Sequence, residues 1–386
     1  LDPYGGCIDI RGERTGFFHT QQIDGRWWLV TPDGHGFLSL GINHYHPGWW
    51  AVNENRDHWV AAWGAERPWD AAWKKGFRDE AVKDCAYLGL NTFGYHCETD
   101  ILLEKPLGPV MPYVRQFLPI RFSGHMKPKA EAYVDVFAPS FAEHCDALAQ
   151  ERIKPYANDK LILGYAMADV PTMTDFESNS PWSGGPTWPK VLRNKGGLAP
   201  GKQAYVAMMK QRHDTIRAFN AAYGSAFDSW EALAAAADWR PKTDMSNETE
   251  KADNMSFMRA CVDQYYRVAT EAIRRHDGNH MFFGDKWNAN TDSFDNLADI
   301  VAPYCDVAYF QCYGEWDYMK PRLDRWSKLT GLPLLNGDSS YGTPKEHMPK
   351  PGGTVLPTQA ARVAATREFC ENAFARPDFV GWHICG

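Results

Sequence analysis

Two aspartates are the side chains in this sequence best placed to do chemistry, because each follows an apolar run. Asp169 closes the stretch DKLILGYAMADVPTMTD (159–175), in which Leu161, Ile162, Leu163 and Gly164 read as a strand buried on both faces. Asp338 follows a second such run, Leu332 to Leu335, in LPLLNGDSS. Parallel α/β barrels keep their chemistry at the C-terminal ends of their strands, so the two carboxylates would meet at one mouth. A pair of carboxyl groups cleaves a glycosidic bond when they flank it, about 5–5.5 Å apart for retention and roughly 6.5–9.5 Å for inversion. Either aspartate could instead cap a helix or a turn, a role that Asp often fills. The Gly337-Asp338-Ser339-Ser340 context suits a turn.

The other residues at expected strand ends are His44, His46, His96, Glu98, Asp100, Arg115, Asp285, Lys286, Trp287, Asn288, Gln311, Tyr313, Trp382 and His383. Carboxylates, amides and aromatic rings together suit a sugar, whose hydroxyls need polar partners and whose flat faces stack on rings. No Cys-His pair and no glycine-rich phosphate loop is among them. Four imidazoles at strand ends could converge on a metal, and His44-x-His46 on a strand would direct both rings to one face. Histidine serves equally well as a hydrogen-bond partner for hydroxyls, and no HExxH spacing is present, so neither a metal nor a cofactor is expected. Glu315 and Asp317 read as a solvated loop.

The elements that must position these groups alternate along the chain. Residues 17–45 hold two alternating runs around Asp24-Gly25, a type I′ hairpin signal, and a second turn at Pro32-Asp33-Gly34. Residues 1–35 therefore read as an N-terminal β-hairpin extension. Eight apolar strands follow: Phe37 to Ile42, Leu90 to Tyr95, Val110 to Leu118, the run ending at Asp169, His280 to Asp285, Asp306 to Gln311, Leu332 to Leu335 and Phe379 to Ile384. Helical spacing over 71–88, ended by Gly89, and over about 140–154, 201–222, 250–276 and 358–374 separates most of them. Eight such units predict a closed (β/α)8 TIM barrel, one catalytic domain over 1–386. The sequence stops at Gly386 just after the eighth strand, so either the hairpin covers that gap or the sequence is trimmed. Residues 175–200, rich in Ser, Pro, Gly and Trp, form the longest irregular stretch, and Trp182 and Trp188 favour a functional role for it.

Composition narrows the partners. The net charge is −7, from 41 basic and 48 acidic residues spread along the chain, which excludes a basic stripe for nucleic acid or an anionic membrane. No apolar run reaches the roughly 18 residues of a membrane span. The start, LDPYGGCIDIRGERTG, has no signal-peptide pattern but also no initiator Met, so secreted, periplasmic and cytoplasmic locations all stay open. The nine cysteines form no CxxC pair and predict neither a zinc ribbon nor a disulfide framework. The expected partner is a carbohydrate.

The segment IDGRWWLVTPDGHGFLSLGIN (23–43) resembles the opening of β-agarases and related glycoside hydrolases of the large retaining (β/α)8 clan. IRAFNAAYGSAFDSWEAL (216–233), YYRVATEAIRRHDGNHMFFGDKW (265–287), Asp306 to Gly314 and Phe379 to His383 resemble later parts of the same barrel. The resemblance implies polysaccharide hydrolysis, with algal galactans among the candidate substrates. It also brings departures. The clan ends strand four with Asn-Glu, the Glu being acid/base, and strand seven with a Glu nucleophile. Here Asp169 falls on the Asn, Val170 on the acid/base Glu, and Asp338 on the nucleophile. Three readings stay open. Asp169 acts as acid/base, its pKa raised by Met167, Val170 and Pro171, with Asp338 as nucleophile or base and inversion possible; or Asp338 is kept and Glu98, Asp175 or Glu177 supplies the acid; or the barrel binds sugar without hydrolysing it.

Overall fold

The computed structural model of the protein describes residues 1–97, 111–120, 132–171, 173–175, 187–345 and 353–385. Eight parallel strands close into a barrel: β5 (Ser39–Asn43), β6 (Thr92–Phe93), β7 (Tyr113–Gln116), β8 (Ile162–Asp169), β9 (Met281–Asn288), β10 (Ala308–Gln311), β11 (Leu334–Ser339) and β14 (Phe379–Cys385), while the short β12 (Tyr341–Gly342) and β13 (Thr354–Val355) pair with each other outside it. The barrel closes where β14 pairs with β5, from Gly381 opposite Ser39 to Cys385 opposite Asn43. Strands β8 and β9 are buried along their whole length, the pattern of strands covered on one face by the barrel interior and on the other by helices.

The expected N-terminal hairpin is part of something larger. β2 (His19–Ile23) and β3 (Arg26–Val30) pair across Asp24 and Gly25, both at positive φ as a type I′ turn requires. β4 (His35–Phe37) and β1 (Cys7–Arg11) extend the pair to a four-stranded antiparallel sheet in the order β1-β4-β3-β2. The alternating run CIDIR finds its partner in β4, beyond the range of a local hairpin reading. Leu29 and Phe37 from this sheet, with Phe18 just before β2, pack in one cluster with Leu163, Met281 and Val380 early in their barrel strands and Val307 just before β10, so the sheet plugs the end opposite the mouth. Arg26 fastens it there by donating to the carbonyls of Arg376 and Phe379.

Helices cover the outside. The helix Ala71–Leu88 begins with the Asp70 carboxylate accepting from the Trp73 N–H and ends at Gly89 with φ 69°. The 201–222 helix expectation splits in two, Pro200–His213 and Ile216–Tyr223. Asp214 takes φ 53° between them, and Thr215 caps the second by accepting from Ala218 N–H. The helix Trp316–Thr330 absorbs Glu315 and Asp317 as N-cap and first-turn residues rather than a loop. Trp188 starts a short helix and is fully buried, its indole donating to the Val134 carbonyl, so it serves packing rather than a binding loop. Trp182 lies outside the described residues. All nine cysteines are unpaired, and no described helix is long and apolar enough to cross a membrane.

Candidate active site

Two irregularities in strand pairing build the mouth. On β9, Met281 and Phe283 face the barrel interior, and strict alternation would put Asp285 there too. Gly284, at φ 68°, breaks the alternation. Asp285 turns outward to the hydroxyls of Tyr266, 2.7 Å away, and Tyr265, 3.4 Å away, while Lys286 turns inward. On β8, Ala166 pairs with Gly284 and Asp169 with Lys286, three residues against two, so β8 carries a bulge that brings Asp169 to the interior.

Lys286 Nζ lies 2.7 Å from Asp338 Oδ2 and 3.3 Å from Asp169 Oδ1, joining strands on opposite sides of the barrel. One ammonium touching both oxygens limits their separation to about 6 Å. Beneath it the Tyr95 ring centroid is 4.9 Å from Nζ. Burial pushes the Asp338 carboxyl up, but the Lys286 charge and the contact with His44 outweigh it and hold the carboxyl well below the usual range. For Asp169 burial again pushes up, and Lys286 and His96 bring the net shift down. The expectation that Met167, Val170 and Pro171 would raise the Asp169 pKa is therefore corrected, because a buried cation beside it outweighs its apolar neighbours. Burial pushes Lys286 down, and its two carboxylates more than restore it.

Two histidines cover the carboxylates. His96 Nε2 donates to Asp169 Oδ2 at 2.9 Å, His44 Nε2 lies 3.7 Å from Asp338 Oδ2, and the two rings stack at 4.6 Å. Both histidines hold positive φ, 57° and 62°, an uncommon backbone state for residues with a Cβ. The His44 and His96 side chains are 31% and 34% exposed, against 2% and 8% for Asp338 and Asp169. The accessible face of this site is thus imidazole, with the carboxylates behind it.

The remaining candidates divide. Tyr313 lies close enough to feel the Asp338 charge, and its hydroxyl, raised by burial, bonds the Cys385 thiol. Cys385 also reaches Asp338 and is pushed by burial up to about 11. Gln311 is buried at the end of β10 with no partner for Oε1 among the described residues. Arg115 does not reach the mouth: it donates to the Arg152 carbonyl at 2.9 Å and lies over the Tyr156 ring at 3.4 Å, in the outer layer. Trp287, one residue past the inward Lys286, points outward and packs on Phe294. Asn288 accepts from the Asn290 N–H in the loop after β9. His383 is fully buried with Nε2 2.8 Å from Ser39 Oγ, and burial lowers it to about 3, so it is a neutral core histidine. Trp382 is buried with its indole nitrogen unbonded among the described residues.

His44-x-His46 is not on a strand, because β5 ends at Asn43. His46 accepts from the Gly48 N–H in a local turn and its ring meets Trp69. Glu98, Asp100 and Glu177 lie outside the described residues. Asp175, raised by burial, lines a cavity of about 300 Å³ with Met173, Met255, Asn296 and Leu297. His44, Asp338 and Cys385 place one donor atom each within 4.8 Å of one another, a spacing a metal ion could use. The Lys286 ammonium on Asp338 Oδ2 opposes a second cation beside that carboxylate. Cys385 and the bridging role of Lys286 escaped the sequence reading. The one signal for the latter was the isolated glycine in MFFGDKW, which marks a bulge.

The fold and this mouth define a (β/α)8 barrel with charged strand ends. No protein-family model matches the chain. Beta-agarase B of Vibrio sp. (strain JT0107) is 21% identical to it over 451 residues, covering 98% of this chain and 45% of that protein. Among solved structures, an exo-beta-agarase superposes with a TM-score of 0.80 at 17% identity, over all of this chain and 61% of the other. A second agarase structure gives 0.77 at the same identity and coverage. The chain thus spans less than half of the curated relative and about three fifths of each solved one.

Proposed function

We propose that the chain is a glycoside hydrolase acting on a poly- or oligosaccharide, with β-linked galactans of the agar type as the first substrates to try. The observation that carries this reading is the buried Asp169-Lys286-Asp338 bridge at the C-terminal mouth of the barrel. It holds Asp338 ionised, as a nucleophile must be, on the strand where agarase-like barrels carry theirs. Asp169 does not fit a resting proton donor, since it is ionised as well. The whole chain, N-terminal sheet included, is read as one catalytic unit.

The test is product release from algal and plant polysaccharides, their oligosaccharides and aryl glycosides, run beside Asp338→Asn. Release that this variant abolishes supports hydrolysis through Asp338. One observation favours a second reading, sugar binding without hydrolysis: the Asp338 side chain is only 2% exposed. Silence across the panel together with saturable binding of an oligosaccharide by calorimetry would establish that reading.

A further inference from the structure

Resting on the hydrolase reading, we propose that His96 is the group that moves the proton at the glycosidic oxygen, with Asp169 as its positioning residue. Among the described residues the mouth has a nucleophile and no resting carboxylic donor: both central carboxylates are held ionised, and Val170 falls where the agarase resemblance puts a proton-donating Glu. An ionised Asp169 can only accept, so His96 must present Nε2–H to it. That fixes Nδ1 as the working nitrogen. Among the described residues Nδ1 has no hydrogen-bond partner, and the His96 side chain is about one third exposed at the mouth. The ring cannot swing freely, because it is clamped between the Asp169 bond, the stacked His44 and the Tyr95 edge at 4.3 Å. A carboxylate behind an imidazole whose other nitrogen faces the reactants is the arrangement by which an Asp orients a histidine acid/base.

The steps balance. The His96 imidazolium gives its Nδ1 proton to the glycosidic oxygen as the bond from that oxygen to the anomeric carbon breaks. An Asp338 oxygen bonds that carbon, and the freed alcohol leaves. Neutral Nδ1 then takes a proton from water, whose oxygen bonds the anomeric carbon as the ester to Asp338 breaks, restoring the start. The groups facing His96 are Asp169, Lys286, His44 and the Tyr95 ring; burial, Lys286 and His44 favour its neutral form and Asp169 opposes them. The first step needs the imidazolium, so turnover falls as pH rises through a histidine pKa set below the usual value of about 6.5.

The test compares wild type, His96→Gln, Asp175→Asn and Asp338→Asn on two aryl glycosides of one sugar, 2,4-dinitrophenyl and phenyl β-D-galactoside, followed by oligosaccharides. A dinitrophenolate leaves without a proton, and phenoxide and sugar alkoxides need one. His96→Gln is expected to lose about 10²- to 10⁴-fold on phenyl glycoside and oligosaccharide but less than about 10-fold on the departure of dinitrophenolate. Its high-pH limb should disappear, and added imidazole should restore phenyl glycoside turnover to His96→Ala. Equal loss on both leaving groups, no loss on either, or the leaving-group signature in Asp175→Asn would overturn the assignment while Asp338→Asn still upheld the hydrolase. A wild type inert on every glycoside would instead sink the hydrolase reading, and this proposal with it.

Discussion

Two of the buried ionic clusters among the described residues are built to opposite rules. In the helical region, Glu250 is fully buried beside a fully buried Arg193. Its two oxygens accept from Arg193, from Arg240 at up to three contacts of 2.5–3.2 Å, and from the Asp244 N–H. Arg193 in turn reaches Asn254, Thr243 and the Arg240 carbonyl. Its polar groups turn mostly on one another, and the two that stay unbonded among the described residues, Arg193 Nε and Asn254 Nδ2, lie in the closed interior away from any opening. At the mouth, one lysine serves two carboxylates, and the histidines above them are open to solvent. Burial of charge is common to both; what separates a scaffold from a site is unused hydrogen-bonding capacity next to an opening.

Perturbing the two clusters should therefore give opposite readouts. The largest effect on activity is expected from Asp338→Asn, which removes the nucleophilic charge: on the hydrolase reading, the specific activity of the folded protein falls by about 10⁴-fold or more, measured by product release. Glu250→Ala should do the reverse. It leaves Arg193 buried without its carboxylate and should cost about 3–5 kcal/mol in urea unfolding, with the specific activity of the folded fraction intact. Retained stability in that variant would erase the contrast between the clusters.

Lys286→Met sharpens the mouth side. Lys286 is the leading group holding both carboxyls below their usual range, so its removal raises both, and the acid limb of the pH–activity profile, which reports protonation of Asp338, moves to higher pH. A limb that stays put would mean the ammonium does not set the ionisation.

Asp285 gives a smaller, purely structural effect. Burial raises it to about 7 even though Tyr266, the Ala168 N–H and Tyr265 pull it down. Its folded pKa exceeds the unfolded value of about 3.9, so the folded state holds more protons between them. The stability this group confers is full below about pH 4 and is lost as pH rises toward 7. Asp285→Asn should flatten that part of the stability curve, read by thermal melts at a series of pH values. The smallest effect belongs to Asp317→Asn at an exposed first turn, expected within about 0.5 kcal/mol and without loss of activity.

How much of this was legible in the sequence follows from the range of the forces involved. Strand and helix identity is written locally, in apolar runs such as ILGYAMAD and in caps such as Asp70 and Gly89, and those readings agree with the barrel. Asp169, Asp338, Lys286, His44 and His96 could be named because strand ends converge in any such barrel. Their partnerships could not, because they depend on one-residue slips in pairing. Without the shift at Gly284, Asp285 would face the mouth and Lys286 the helices. The same local reading misplaced Arg115 and Trp287, which sit at strand ends but on the outer face, and His383, whose burial is decided by Ser39 some 344 residues away. The antiparallel partner of β1 was missed for a similar reason, since CIDIR pairs with a segment two turns distant.

The seam between β14 and β5 also has a consequence in time. The barrel's first strand waits for its neighbour on one side until residues 379–385 have been made, because that neighbour is Phe379–Cys385. Joining segments so far apart carries a large loop-closure entropy and makes the seam a late event. Until it forms, the edge of β5, with the apolar residues Leu40 and Ile42, is an open template for other chains. The early sheet docks on the same seam through Arg26, so refolding from denaturant should be slow and concentration-sensitive, and a ribosome-bound chain lacking its last strand should depend on chaperones.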